Sequence, residues 1–234
     1  MTGGVTLNAG TLNIADAQAL GTVAGTFAIT GGTFDNTTGG ALSTLNYPQT
    51  WNGNFTFTGT DNLDLGTGAV TIGGASQITT STAGKTLTVD GIISGGFLLT
   101  KAGAGTLTLG GNNTMTGGVT LSAGVLQIEH ANALGAVAGT LTLAGGTIDN
   151  TSGGALNTPN YPQTWSGDFT FTGTDDLDLG TGAVTMSAAR QVTASASNLT
   201  VGGVISGGFS LTKLGGGTLT LEGTNTFTCP LYTS

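Results

Sequence analysis

A segment that opens Thr2-Gly3-Gly4-Val5-Thr6-Leu7-Asn8-Ala9-Gly10 opens again as Thr116-Gly117-Gly118-Val119-Thr120-Leu121-Ser122-Ala123-Gly124, a step of 116 − 2 = 114 residues. The match runs on through Asn46-Tyr47-Pro48-Gln49-Thr50-Trp51 and Asn160-Tyr161-Pro162-Gln163-Thr164-Trp165. After Gln77 and Gln191 it slips by two residues, so that Leu87 pairs with Leu199 at a step of 112. Self-similarity over this length is the mark of a repeat architecture, in which each unit completes its core by stacking on the next. A catalytic domain has one site with no echo, so the duplication points towards structure or adhesion. The boundaries expected from it are a first unit at 1–115, a second at 116–228, and a non-repeat tail at 229–234 that carries the single cysteine, Cys229.

Within each unit the pattern is strand and turn. Gly105-Thr106-Leu107-Thr108-Leu109 and Gly217-Thr218-Leu219-Thr220-Leu221 alternate polar and apolar residues with period two, which puts the leucines on one face. Val5-Thr6-Leu7, Phe55-Thr56-Phe57 and Leu87-Thr88-Val89 repeat the alternation, and β-branched Thr and Val suit a pleated surface. Glycine pairs such as Gly31-Gly32, Gly73-Gly74 and Gly110-Gly111 separate the runs and permit tight corners. The segments 15–21 and 129–135 have helical flavour but are too short to be more than a turn. The expectation is all-β: a parallel β-helix of roughly ten rungs at ~20 residues each, stacked ~4.8 Å apart into a rod about 50 Å long.

Composition narrows the function. Only 7% of the residues are charged, and the net charge of −8 reflects a shortage of cations, just Lys85, Lys101, Arg190 and Lys213. Phosphate backbones are held by Lys and Arg, so nucleic acid is excluded as a partner, and anionic membrane surfaces are disfavoured likewise. No apolar run reaches the roughly 18 residues of a membrane span. One cysteine builds no disulfide framework. Met1 leads directly into repeat sequence without a basic and apolar leader, so no export signal is expected in this segment, and the half-motifs at both ends suggest a piece of something longer.

The motif from Gly105 to Leu109 followed by Asn113-Thr114-Met115-Thr116-Gly117-Gly118-Val119-Thr120-Leu121-Ser122-Ala123-Gly124-Val125-Leu126-Gln127-Ile128 resembles the autotransporter-associated β-strand repeat of type V secreted bacterial proteins. Its second half recurs at Thr2–Ile14 and its first half at Gly217–Thr228. The resemblance implies a right-handed parallel β-helix in a passenger domain, displayed at the cell surface or secreted, in association with a bacterial outer membrane. The reading that follows is a rigid stalk or adhesion scaffold that meets cell-surface or extracellular glycans or proteins; the repeat itself is not specific for any activity, and the absence of a charged cleft, a Ser/His/Asp arrangement or a metal-spaced His cluster in the sequence leads to the expectation of no enzyme and no cofactor.

Three groups of residues offer chemistry beyond a scaffold. Asp61 and Asp64, with Asp175, Asp176 and Asp178 in the second copy, alternate with leucines; stacked rungs could bring their oxygens together around calcium. Paired carboxylates could also serve a polysaccharide-acting β-helix enzyme, with the sole arginine, Arg190, or the sole histidine, His130, as its unique member. Their partners in the first copy are Ser76 and Asp16. Tyr47, Trp51, Tyr161 and Trp165 could stack on sugar rings in a glycan-binding module, or could fill the interior. Asn36 and Asn150 are expected at corners, where such residues can stack into hydrogen-bonded ladders. Finally, uncapped solenoid ends are expected to associate end to end.

Overall fold

The structure is a computed structural model that describes residues 3–226. Twenty-eight short strands, from β1 (Val5–Leu7) to β28 (Thr218–Leu221), pair in parallel throughout, and no helix occurs among the described residues. The parallel ladders stack as a β-solenoid of about ten turns with three faces. The expected all-β β-helix is therefore the fold. The expected tail at 229–234, with Cys229, lies outside the described residues.

Face one begins with β1, β3 (Phe27–Ile29), β6 (Gln49–Trp51), β9 (Val70–Ile72) and β12 (Ile93–Ser94). Face two is an unbroken ten-stranded sheet from β2 (Thr11–Ile14) to β26 (Ile205–Ser206), and it includes β13 (Leu99–Ala102), β15 (Val119–Leu121) and β20 (Gln163–Trp165). Face three has nine strands, from β5 (Leu42–Ser43) through β8 (Leu63–Asp64), β14 (Thr106–Leu109), β16 (Val125–Ile128) and β18 (Thr147–Asn150) to β27 (Leu211–Leu214). Face one ends with β19 (Leu156–Asn157), β22 (Leu177–Asp178), β25 (Asn198–Val201) and β28.

Register explains how the two copies sit. On face one Val5 pairs with Phe27, Phe27 with Gln49, Gln49 with Val70 and Val70 with Ile93, which are steps of 22, 22, 21 and 23 residues. The Ile93 carbonyl then accepts the amides of Thr114 and Met115, so the fifth turn closes there, and Val119 falls on face two beside Leu99. A period of 114 residues is thus five turns and one face more. The second copy is rotated by a third of a turn: β1 and its equivalent β15 lie on different faces, as do β6 and its equivalent β20.

Alternation survives the rotation because side chains still point in and out by turns along each strand. Leu107, Leu126, Trp51, Trp165, Phe57 and Phe171 are fully buried. In the first copy the interior holds an aromatic cluster, with Phe34 at 5.7–5.9 Å from Phe27, Phe55 and Phe57. Corners are close-packed along the axis. A Cβ on Gly182 would stand 1.8 Å from the carbonyl oxygen of Tyr161, and one on Gly203 would stand 1.8 Å from that of Gly182. Only glycine allows the backbone to pass at that separation.

Candidate functional site

Of the five aspartates proposed from sequence, each spends its carboxylate on a corner of the solenoid. Asp64 and Asp178 accept, through Oδ1, the amides of Gly66 and Gly180 two residues on, both at 2.7 Å. Asp61 accepts the Gly39 amide of the previous rung at 2.9 Å and pairs with Lys85 at 3.3 Å; Asp175 likewise accepts the Gly153 amide at 3.1 Å. Asp176 accepts the Asn198 amide of the following rung at 2.7 Å. Rotation between the copies also separates them: Asp64 is on face three and Asp178 on face one. The row that crosses Asp64 reads Ser43, Asp64, Thr88, Thr108, Gln127, Asp149, so no carboxylate stacks directly on another next to it. Among the described residues no three His, Cys, Asp or Glu side chains form a group able to hold a metal ion. The stacking on which the calcium expectation rested is not how the rungs are arranged.

The aromatic stations lie inside. Tyr47 and Tyr161 are 1% exposed, and Trp51 and Trp165 are 0% exposed, which leaves no ring face for a sugar. Each indole donates from Nε1 to the glutamine two residues earlier, Gln49 or Gln163, at 3.2 Å. Tyr47 donates its hydroxyl to the Gly21 carbonyl at 2.8 Å, and Tyr161 donates to Gly135 at 2.7 Å. These bonds tie the short turns at 15–21 and 129–135 to the rung above. Burial raises the pKa of both phenols; for Tyr47 the Asp16 carboxylate adds a smaller push in the same direction.

His130 and its counterpart Asp16 do the same work. His130 Nδ1 accepts the Asn132 amide at 3.0 Å, and Asp16 Oδ1 accepts the Gln18 amide at 2.8 Å. Arg190 donates from Nε to the carbonyl of Trp165 at 3.0 Å and from a terminal nitrogen to Ser187 Oγ at 2.8 Å. Among the described residues the side-chain ion pair is Lys85 with Asp61, and neither His130 nor Arg190 takes part in it.

Asn36 and Asn150 sit at corners, but they form no ladder. Asn36 stacks beside Ile14 and Asn150 beside Ile128, and the rotation puts the two on different faces. Each is instead a self-contained cap. Asn150 donates to the carbonyls of Gly154 and Asp176, both at 2.7 Å, and accepts from the amide and hydroxyl of Ser152 at 3.0 and 2.7 Å.

Lys101 was not singled out in the sequence, and it is the most unusual side chain in the molecule. It is 0% exposed, and its ammonium donates to the carbonyls of Ala102, Gly103 and Ala123 at 2.9, 3.0 and 3.0 Å. Burial pulls its pKa down to about 8. It shares strand parity with Leu99, so the alternation itself places it inward.

Face three carries a shallow outward groove of about 310 Å³, floored by Ser43, Asp64, Thr88, Thr108 and Gln127. It is polar and open.

The passenger-associated transport repeat matches residues 1–14, 99–128 and 211–228. The chain carries one whole passenger repeat and two halves. It is also 34% identical over 171 residues to the autotransporter adhesin BmaC of Brucella suis biovar 1 (strain 1330). The aligned region is 70% of this chain and 4% of that adhesin's length, so the chain corresponds to a small part of that relative. With a stacked solenoid fold and these repeats, the chain is similar to the passenger part of an autotransporter. No solved structure matches it.

Proposed function

We propose that this passenger segment is a rigid, adhesive scaffold at the bacterial surface or in a secreted protein, and that it performs no catalysis. The observation that carries the reading is the unbroken ten-stranded sheet of face two, which runs through both copies without an interruption where a site could open. The units 1–115 and 116–228 act as consecutive lengths of one rod. The ionisable residues that enzyme chemistry would need are occupied in corner bonds, and His130 does what Asp16 does in the other copy. A relative named as an adhesin supports attachment to surface partners through the outward faces. The groove on face three is the place where an extended polar polymer, glycan or peptide, would find hydroxyl, amide and carboxylate groups at rung spacing.

The test coats beads with the full chain and measures retention on cell monolayers and extracellular-matrix surfaces against albumin-coated beads. Parallel incubations with a panel of polysaccharides are assayed for new reducing ends and for absorbance of unsaturated uronates. Retention that disappears when the protein is unfolded by urea, with no polysaccharide cleavage, is the expected result. Cleavage of any polymer, or retention no better than albumin, would overturn the proposal.

A further inference from the structure

The groove on face three runs out over a glycine where two carboxylates converge, and we infer that it takes an extended peptide segment bearing lysine or arginine, whose cations seat between Asp90 and Glu129 and against Asp64. The inference rests on the reading of this groove as the docking place of an extended polymer, and it names the polymer.

The floor is one outward column of the sheet. Ser43 pairs with Asp64, Asp64 with Thr88, Thr88 with Thr108 and Thr108 with Gln127, one residue per turn at the ~4.8 Å rung spacing. Past the strands the ladder continues: the Gly110 amide donates to Val89 and the Glu129 amide to Leu109. Asp90, Gly110 and Glu129 therefore follow Thr88, Thr108 and Gln127 on the same side, two residues on. A Cβ on Gly110 would meet Asp90 Oδ1 and stand 3.4 Å from Glu129 Oε2. The missing side chain leaves a gap with a carboxylate oxygen on either side.

These carboxylates have acceptor capacity that the fold does not use. Asp90 Oδ1 is buried without a hydrogen-bond partner. Glu129 meets the Thr151 hydroxyl through Oε1 at 3.3 Å, and Asp64 meets the Gly66 amide through Oδ1, which leaves Oε2 and Oδ2 over. The four Lys and Arg side chains of the chain are all engaged elsewhere. Lys85 pairs with Asp61, Lys101 is held inside by carbonyls, Arg190 donates to the Trp165 carbonyl, and Lys213 donates to that of Gly215. The cation that complements this groove comes from outside.

That cation is organic, because among the described residues no three carboxylates gather closely enough to hold a metal ion. An ammonium or guanidinium carries several directed donors and can bridge two carboxylates that stand apart. No aromatic ring lines the groove to stack on a sugar, whereas its hydroxyls and side-chain amides match the N–H and C=O groups of a peptide backbone. In an extended peptide alternate side chains point the same way, about 6.7 Å apart. Two rungs, or ~10 Å, separate Asp64 from the gap over Gly110, a span that flexible lysine stems cover from alternate positions.

Calorimetric titration of the full chain tests this with three probes: a peptide alternating lysine and serine, the same peptide acetylated on every lysine, and a glucosamine oligomer. The lysine peptide is expected to bind, more weakly as salt is raised, and the other two are not. Asp90→Asn and Glu129→Gln should each weaken binding tenfold or more, the equivalent of one charged hydrogen bond, while urea unfolding shows Asp90→Asn no less stable than wild type. Asp175→Asn makes the same change in net charge at a corner of the second copy and should bind as wild type does. A lysine peptide that fails to bind, equal binding of either other probe, or an equal loss in Asp175→Asn would overturn the inference. Beads of wild-type protein that hold to cells while the peptide fails to bind would overturn this inference alone; beads that fail as well would overturn the scaffold reading on which it rests.

Discussion

The ammonium of Lys101 reaches across one rung to the carbonyl of Ala123 at 3.0 Å, with no carboxylate among its hydrogen-bond partners. An ammonium held only by carbonyls pays desolvation that neutral amine would not, which is why its pKa falls to about 8 from 10.5. Below pH 8 folded and unfolded chains both carry the proton, and the fold bears the whole cost. Between about 8 and 10.5 the folded chain releases the proton while the unfolded chain keeps it, so stability rises with pH by at most roughly 3 kcal/mol. Above about 10 the raised phenol pKa values of Tyr47 and Tyr161 act oppositely, because the unfolded phenols ionise first. Urea midpoints should therefore climb from pH 8 towards 10 and then fall. Lys101→Met should flatten the climb and leave the fall; a climb unchanged in that variant would refute the assignment.

Trp165 packs edge-on to Phe169 at 5.2 Å with its indole nitrogen bonded to Gln163. Trp165→Ala should cost about 3–5 kcal/mol in urea unfolding, the range for opening a cavity in place of a large aromatic. If the ring instead served a ligand, the variant would keep its stability and lose binding.

Asn150 satisfies four groups at once, so Asn150→Ala leaves the Ser152 amide without its acceptor and takes one of two donors from each of the Gly154 and Asp176 carbonyls, which keep the Ser152 hydroxyl and the Leu156 amide. A loss of about 2–3 kcal/mol is expected, along with faster hydrogen exchange at Ser152. Asn36→Ala should behave the same way, since its amide nitrogen bonds Gly40 and Asn62 with the same geometry. A variant as stable as wild type would mean that the corner is held by its glycines alone.

The fold was open to reading from the sequence because a β-solenoid writes its plan locally. Thr106-Leu107-Thr108-Leu109 declares both strand and inward face, and Gly110-Gly111 declares the corner. What stayed hidden was phase. Strand spacing alone suggests a rung of about 20 residues, whereas the observed steps of 21–23 make 114 residues overshoot five turns by a face. That overshoot, invisible in a self-alignment, is what keeps Asp64 from Asp178 and Asn36 from Asn150. The aromatics were ambiguous for another reason: Tyr47 and Tyr161 stand in irregular segments, where no alternation says which way a ring points. Lys101 is legible by parity with Leu99, but charge is so rarely sent inward that its residue type argues the other way.

Asp90 gives the sharpest electrostatic test. It lies at the corner after β11 (Thr86–Val89), where its Oδ1 is buried without a hydrogen-bond partner, and a Cβ on Gly110 would stand between it and the Glu129 carboxylate. Burial raises its pKa above the ordinary 3.8, and the charges of Asp64 and then Glu129 add to the rise. A carboxyl that holds its proton more tightly when folded favours the fold only while protonated. That contribution is present below the unfolded pKa and is lost as pH rises through the folded one. At neutral pH the ionised side chain is therefore a net cost. Asp90→Asn removes the charge and offers an amide donor to the two neighbouring carboxylates, so it should stabilise the protein by about 1 kcal/mol at pH 7, or ~2–4 °C in Tm. The gap to wild type should close as pH falls below about 4, where both side chains are neutral. A variant less stable than wild type at pH 7 would show that the Asp90 carboxylate holds the corner rather than strains it.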